Sequence, residues 1–89
     1  MRQAIYRAID AEVELAKRMY PEWPKDRVHG AAICVEEAGE LIQAALDHVK
    51  PELNHKEGDT VERMWKEAVQ TAAMAIRFME ELMGEGEEE

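Results

Sequence analysis

Cysteine is almost missing from this chain: Cys34 stands alone among 89 residues. One thiol excludes an intrachain disulfide and leaves little basis for a thiolate-held metal. No apolar run approaches the roughly 18–20 residues needed to cross a bilayer. The opening MRQAIYRAID carries charges throughout, unlike a secretory signal. These absences lead us to expect a cytoplasmic protein with no membrane partner. Basic residues are scarce too, 11 against 20 acidic ones, for a net charge of −9. Charge alone would then repel a phosphate backbone, and no nucleic acid polymer is expected as a partner. A small phosphate-bearing molecule stays compatible, provided a divalent cation comes between.

Period-two alternation is absent as well, which excludes half-buried strands, and there is no internal repeat. Instead, apolar residues recur at helical spacing. About Arg2 to Met19, they fall at Ile5, Ala8, Ile9, Val13, Ala16 and Met19. A second helix is predicted from about Asp26, its N-cap, to Val49, and a third from about Thr60 to Met83, capped by Thr60 or Asp59. Pro21 and Pro24 break the chain after the first helix, Pro51 follows the second, and NHKEGD at 54–59 is a polar connector. A short extra turn around 51–56 is the one further element considered. Gly84 and Gly86 are expected to end the third helix. Residues 1–83 then form one all-α domain, and 84–89, GEGEEE, a solvated, disordered acidic tail.

A chain this short buries only about 60–65% of its unfolded surface. Three helices alone close a core poorly, so homo-oligomerisation, to a dimer or tetramer, is expected to complete the bundle. On the second helix, Val28, Ala31, Ala32, Val35, Ala38, Gly39, Ile42, Ala45, Leu46 and Val49 share one side. Their small members suit a seam of closely approaching helices.

The opposite side holds the unusual feature. In VEEAGELIQAAL, Glu36, Glu37 and Glu40 fall across from Val35, Ala38 and Ile42, and His29, Ile33 and Asp47 lie on that acidic side. The third helix has a matching polar face with Glu67, Gln70, Thr71, Met74, Arg77, Phe78 and Glu81. An outward face rarely needs a Phe, so Ile33, Met74 and Phe78 predict that these polar faces are partly enclosed. If they meet, four glutamates converge, and like charges so close need neutralising. Mg²⁺ or Mn²⁺, which take carboxylates and water, would do that. A solvated glutamate face is the plainer alternative. The Glu-x-x-His pairs of di-iron bundles are absent. Arg77 is placed for a phosphate, for Glu81 one turn on, or for a carboxylate of the second helix. Lys66 is either solvated or a phosphate contact. Trp23, in PEWP, can pack on the bundle or stack on a base.

At these residues the chain resembles the MazG-like all-α nucleoside triphosphate pyrophosphohydrolases. Their signature is EExxE, then, after a spacer, ExxD. Glu36-Glu37-Ala-Gly-Glu40 matches the first half, Glu67 opens the second, and the similarity runs from about Val28 to Leu82. The resemblance implies cleavage of a nucleoside triphosphate between its α and β phosphates, with Mg²⁺, in nucleotide-pool housecleaning. It implies Glu37, Glu40 and Glu67 as metal ligands, and Glu36 as a further ligand or as the group that orients and deprotonates the attacking water. The closing Asp is Gln70 here. An amide oxygen still touches Mg²⁺ but brings no charge. That departure opens a second reading, a protein that binds nucleotide or metal and turns over poorly. An acidic helical interaction module is the third.

Overall fold

The computed structural model describes residues 1–50, 52 and 59–88, with side chains through 84. It contains three α-helices, α1 (Arg2–Met19), α2 (Arg27–Val49) and α3 (Thr60–Glu88), and no strand among the described residues. Apart from residue 52, the extra turn considered near 51–56, and with it most of the 54–59 connector, His55 included, lies outside the described residues.

The helix starts follow from their caps. The Asp26 carboxylate accepts from the backbone N–H groups of Val28 at 2.9 Å and His29 at 3.4 Å. Asp59 does the same for Val61 at 2.8 Å and Glu62 at 3.4 Å. Each cap satisfies donors that the first turn leaves without an intrahelical partner. The α1 helix has no side-chain cap, but Lys17 and Arg18 in its last turn complement the helix dipole. At the other end of the chain, α3 continues through Gly84 and Gly86 to Glu88. Gly84 does not take the left-handed backbone that ends a helix, so the glycines lower helix preference there without terminating the element.

Helices α2 and α3 form an antiparallel hairpin. The pairing runs from Arg63 against Asp47 at one end to Lys25 against Glu81 at the other. The α1 helix packs on α3 alone among the described residues, tied at its end by Lys17–Glu80 at 3.0 Å. Among the described residues the buried apolar core is small: Val13, Ala16, Ala44, Val69 and Ala73. Three of those five are alanines, so backbones approach closely and little apolar bulk is enclosed.

The inner face of α2 is the Ile33, Glu37 and Asp47 part of the acidic side, with His29, Glu36 and Glu40 exposed, and not the apolar stripe. Gly30, Ala44 and Asp47 are buried there, and Ile33, Glu37 and Leu41 are half-buried. Val28, Val35, Ile42, Leu46 and Val49, the larger members of the expected seam, are all exposed. The α3 helix likewise turns its polar face inward, with Arg77 buried and Glu67, Gln70, Thr71, Met74 and Phe78 half-buried. The two polar faces therefore meet, as Ile33, Met74 and Phe78 predict. Among the described residues, the larger side chains of the seam that sequence patterning assigns to the core are left uncovered.

Candidate functional site

Glu37, Glu40 and Glu67 come together between α2 and α3. One carboxylate oxygen from each lies within 4.8 Å of the others. Helical spacing explains the grouping. Glu37 and Glu40 are three apart, neighbours on one helix surface, and antiparallel pairing brings Glu67 alongside. The Oε2 atoms of Glu37 and Glu67 are both buried, and Glu37 Oε2 has no hydrogen-bond partner among the described residues. A buried carboxylate oxygen without a partner is costly.

The electrostatics follow from that placement. Burial pushes the Glu37 carboxyl above its ordinary value, and Glu40, Glu12 and Glu36 push it further. Glu12 comes from α1, on the half-buried turn beside Val13 and Ala16. It is the residue sequence reasoning missed. The EExxE pattern draws attention to α2, and nothing in the spacing of α1 shows that Glu12 faces this group. Its position just before the core residue Val13 is the only sequence signal. Burial also raises the Cys34 thiol, with Glu37 adding to it against a backbone hydrogen bond. That keeps the sulfur protonated and a poor nucleophile.

The remaining candidates are distributed differently. Glu36 is exposed and stands outside the group of three, though close enough to act on Glu37. Gln70 is half-buried on the inward face of α3 and Lys66 is exposed. Arg77 is buried, and its guanidinium donates to the Tyr20 carbonyl at 2.7 Å. It also lies 5.2 Å from the Trp23 ring centroid, a cation–π distance. Arg77 thus ties the proline-bounded loop to α3. Trp23 packs beside Phe78, with ring centroids 6.3 Å apart, and a Cβ on Gly30 would sit 2.9 Å from Trp23 Nε1. Trp23 is a packing residue in this fold, and Gly30 is the position that admits it. His29 is exposed, on an open cleft of about 760 Å³ shared with Pro21, Trp23, Lys25 and Glu81, about two helical turns from Glu37.

Asp47 does not join the glutamates. It is 2% exposed, takes Arg63 at 2.9 Å and accepts from Gln43 Nε2 at 2.9 Å. One turn beyond Gln43, it is a structural carboxylate with its own cation. His48 is structural as well, its Nδ1 lying 2.7 Å from Thr60 Oγ1 across the connector.

No family model matches this chain, and neither the curated proteins nor the solved structures contain a match to it. The resemblance to MazG-like enzymes therefore rests on the motif residues themselves. No described helix is long and apolar enough to cross a membrane.

Proposed function

We propose that this protein is a Mg²⁺-dependent nucleoside triphosphate pyrophosphohydrolase that releases a nucleoside monophosphate and pyrophosphate. The observation that carries this reading is the convergence of Glu37, Glu40 and Glu67 within 4.8 Å, with Glu37 Oε2 buried and lacking a partner. Such a group disfavours its own charge, and a hard divalent cation with oxygen ligands is the species that reverses this. The donor set fits Mg²⁺ or Mn²⁺: carboxylate oxygens only, from two helices. Bound there, the ion would neutralise charge on the transferring phosphate oxygens.

In this reading the chain's own residues have separate tasks. Glu37, Glu40 and Glu67 hold the ion. Glu36, exposed beside them, orients the attacking water and takes its proton. Gln70 offers a neutral oxygen at the edge of the set. Lys66, exposed one position before Glu67, reaches a phosphate from solvent. Arg77, already engaged with Tyr20 and Trp23, positions the loop over the N-terminus of α2. The active form is a homo-oligomer.

Gln70 favours one variant of the same reading, in which nucleotide and metal bind but turnover is slow, because the fourth carboxylate is absent. Pyrophosphate release from a panel of ribo- and deoxyribonucleoside triphosphates, with Mg²⁺, Mn²⁺ or EDTA, separates the two. Metal-dependent release that disappears in Glu40→Gln supports the hydrolase. Silence across the panel, with Mg²⁺ still raising the melting temperature, supports the binding protein. No metal effect on either readout overturns both.

A further inference from the structure

Trp23 is seated at a cost. Its indole Nε1 is buried and has no hydrogen-bond partner among the described residues, although a tryptophan N–H usually finds one when enclosed. The atom lies against Gly30, where an added Cβ would stand 2.9 Å from it and 3.1 Å from the Phe78 ring. The indole also divides two hollows. On one side is the open cleft of about 760 Å³ that reaches Pro24, Lys25 and His29. On the other is a smaller hollow of about 240 Å³ that reaches Lys17 and Arg77. Pro21, Trp23 and Glu81 border both. Two kinds of contact hold the segment 20–26 down. Lys25 meets Glu81 at 3.1 Å, but the lysine side chain is 88% exposed, and water and salt screen such a pair. The other contacts belong to Arg77, which is 6% exposed. It donates to the Tyr20 carbonyl oxygen and lies over the Trp23 ring. A neutral oxygen and a ring leave the charge of this buried cation uncancelled, whereas Arg63 has Asp47.

We propose that the segment 20–26 is a lid lying in a binding site of its own, and that a small aromatic carboxylate displaces it. Each part of the lid holds the place of a part of that ligand. The indole marks the position of a flat ring, under the Arg77 guanidinium at 5.2 Å and beside Phe78 at 6.3 Å between centroids. A ring without an N–H lies there free of the cost that Trp23 bears. The Tyr20 carbonyl oxygen, 2.7 Å from Arg77, marks the position of an anionic oxygen. A carboxylate there cancels the buried charge and matches the guanidinium fork with two oxygens. One guanidinium touches both positions, so the ring and the anion of the ligand are only a few bonds apart. A nucleotide does not fit that spacing, because its sugar separates base from phosphate. Pro21 and Pro24 stiffen the segment, so it lifts as a unit, and lifting joins the two hollows. The site stands about two helical turns from Glu37, and the inference does not rest on the hydrolase reading.

Hydrogen exchange of the intact chain, followed by NMR, tests this. The chain has two indole N–H signals, and Trp65→Phe assigns them. The Trp23 indole N–H should show about 100-fold less protection than the backbone amides of Val69 and Ala73, because the lid lifts while the hairpin stays closed. Millimolar 1-naphthaleneacetate, a ring one carbon from its carboxylate, should speed the Trp23 exchange about tenfold more and leave the hairpin amides unchanged. The neutral 1-naphthalenemethanol should have little effect. Gly30→Ala places a methyl group in the slot, so it should speed the Trp23 exchange without any probe and abolish the response to naphthaleneacetate. Exchange of Trp23 only in step with Val69 and Ala73 overturns the lid. No response to naphthaleneacetate overturns the site, and an equal response to the neutral alcohol removes Arg77 from it and overturns the proposal as well. If Gly30→Ala unfolds, the wild-type measurements decide alone.

Discussion

Two places along the α2–α3 hairpin hold carboxylates away from water, and they are built on opposite terms. At one end Asp47 is almost wholly buried with Arg63 at 2.9 Å and the Gln43 amide on its other oxygen. Nearly three turns away, Glu37 lies among Glu40, Glu12 and Glu36, each of which raises its pKa further beyond the effect of burial. The first arrangement is complete within the chain: charge meets charge and the lone pairs are used. The second brings like charges together and leaves Glu37 Oε2 without a partner among the described residues. The same two helices supply both, so the contrast is not a limit of the fold. Where a carboxylate serves structure, the chain provides its cation. At the glutamates it provides more carboxylates, and that contrast is what the proposed metal ion would offset.

The largest effect should come from making the complete site resemble the incomplete one. Arg63→Ala leaves Asp47 buried without its cation, and unfolding stability should fall by about 3–5 kcal/mol. Urea titration measures it; a loss under 1 kcal/mol would mean the pair is less buried than it stands here. The converse change acts on the glutamates. Glu37→Gln should lower metal-dependent pyrophosphate release at least ~100-fold, or about 2.7 kcal/mol of transition-state stabilisation. In EDTA the same variant should be more stable than the wild type, by about 1 kcal/mol summed over its acidic neighbours. A residue kept for structure does not lose function and gain stability together. A Glu37→Gln protein less stable than wild type in EDTA would contradict the contrast drawn above.

Much of this was readable in advance, for reasons that particular residues make clear. Asp26 and Asp59 announce two helix starts through local backbone chemistry, which does not depend on the rest of the fold. Ile33, Met74 and Phe78, apolar residues interrupting polar faces, announce that those faces meet. Local pattern failed where a choice lay between two amphipathic sides. Val35 and Ile42 have the spacing of a core, yet one chain turns Glu37 and Leu41 inward instead. Hydropathy ranks sides but does not say which copy of the chain covers them. Glu12 and the Arg77–Tyr20–Trp23 tie were hidden because both depend on where α1 lies against α3, a contact between distant segments.

Gln70→Asp sharpens the comparison by adding to the glutamate group. A charged oxygen on the inward face of α3 should tighten Mg²⁺ binding by about tenfold, as each added carboxylate raises the field at a hard cation. In EDTA it should cost a few tenths of a kcal/mol, since the new carboxylate repels the others. Isothermal titration with Mg²⁺ reads the first effect and thermal melting the second. Unchanged affinity would place residue 70 outside the set.

The smallest expected effect tests the residue on the most distant helix. The Glu37 carboxyl is held above its ordinary value of 4.5, first by burial and then by Glu40, Glu12 and Glu36. The folded chain therefore binds that proton more tightly than the unfolded chain does. The stability this contributes is fully present below 4.5 and is lost as pH rises through the raised folded value. Glu12→Gln removes one of the three raising charges, so the loss should be smaller by a few tenths of a kcal/mol. Melting curves in EDTA across that window, taken as the difference between wild type and Glu12→Gln, isolate this group from the other acids. A difference that grows with pH and vanishes when Mg²⁺ is added puts Glu12 in the field of the ion. Parallel profiles would put α1 too far from the glutamates to matter, and the incomplete site would then belong to the hairpin alone.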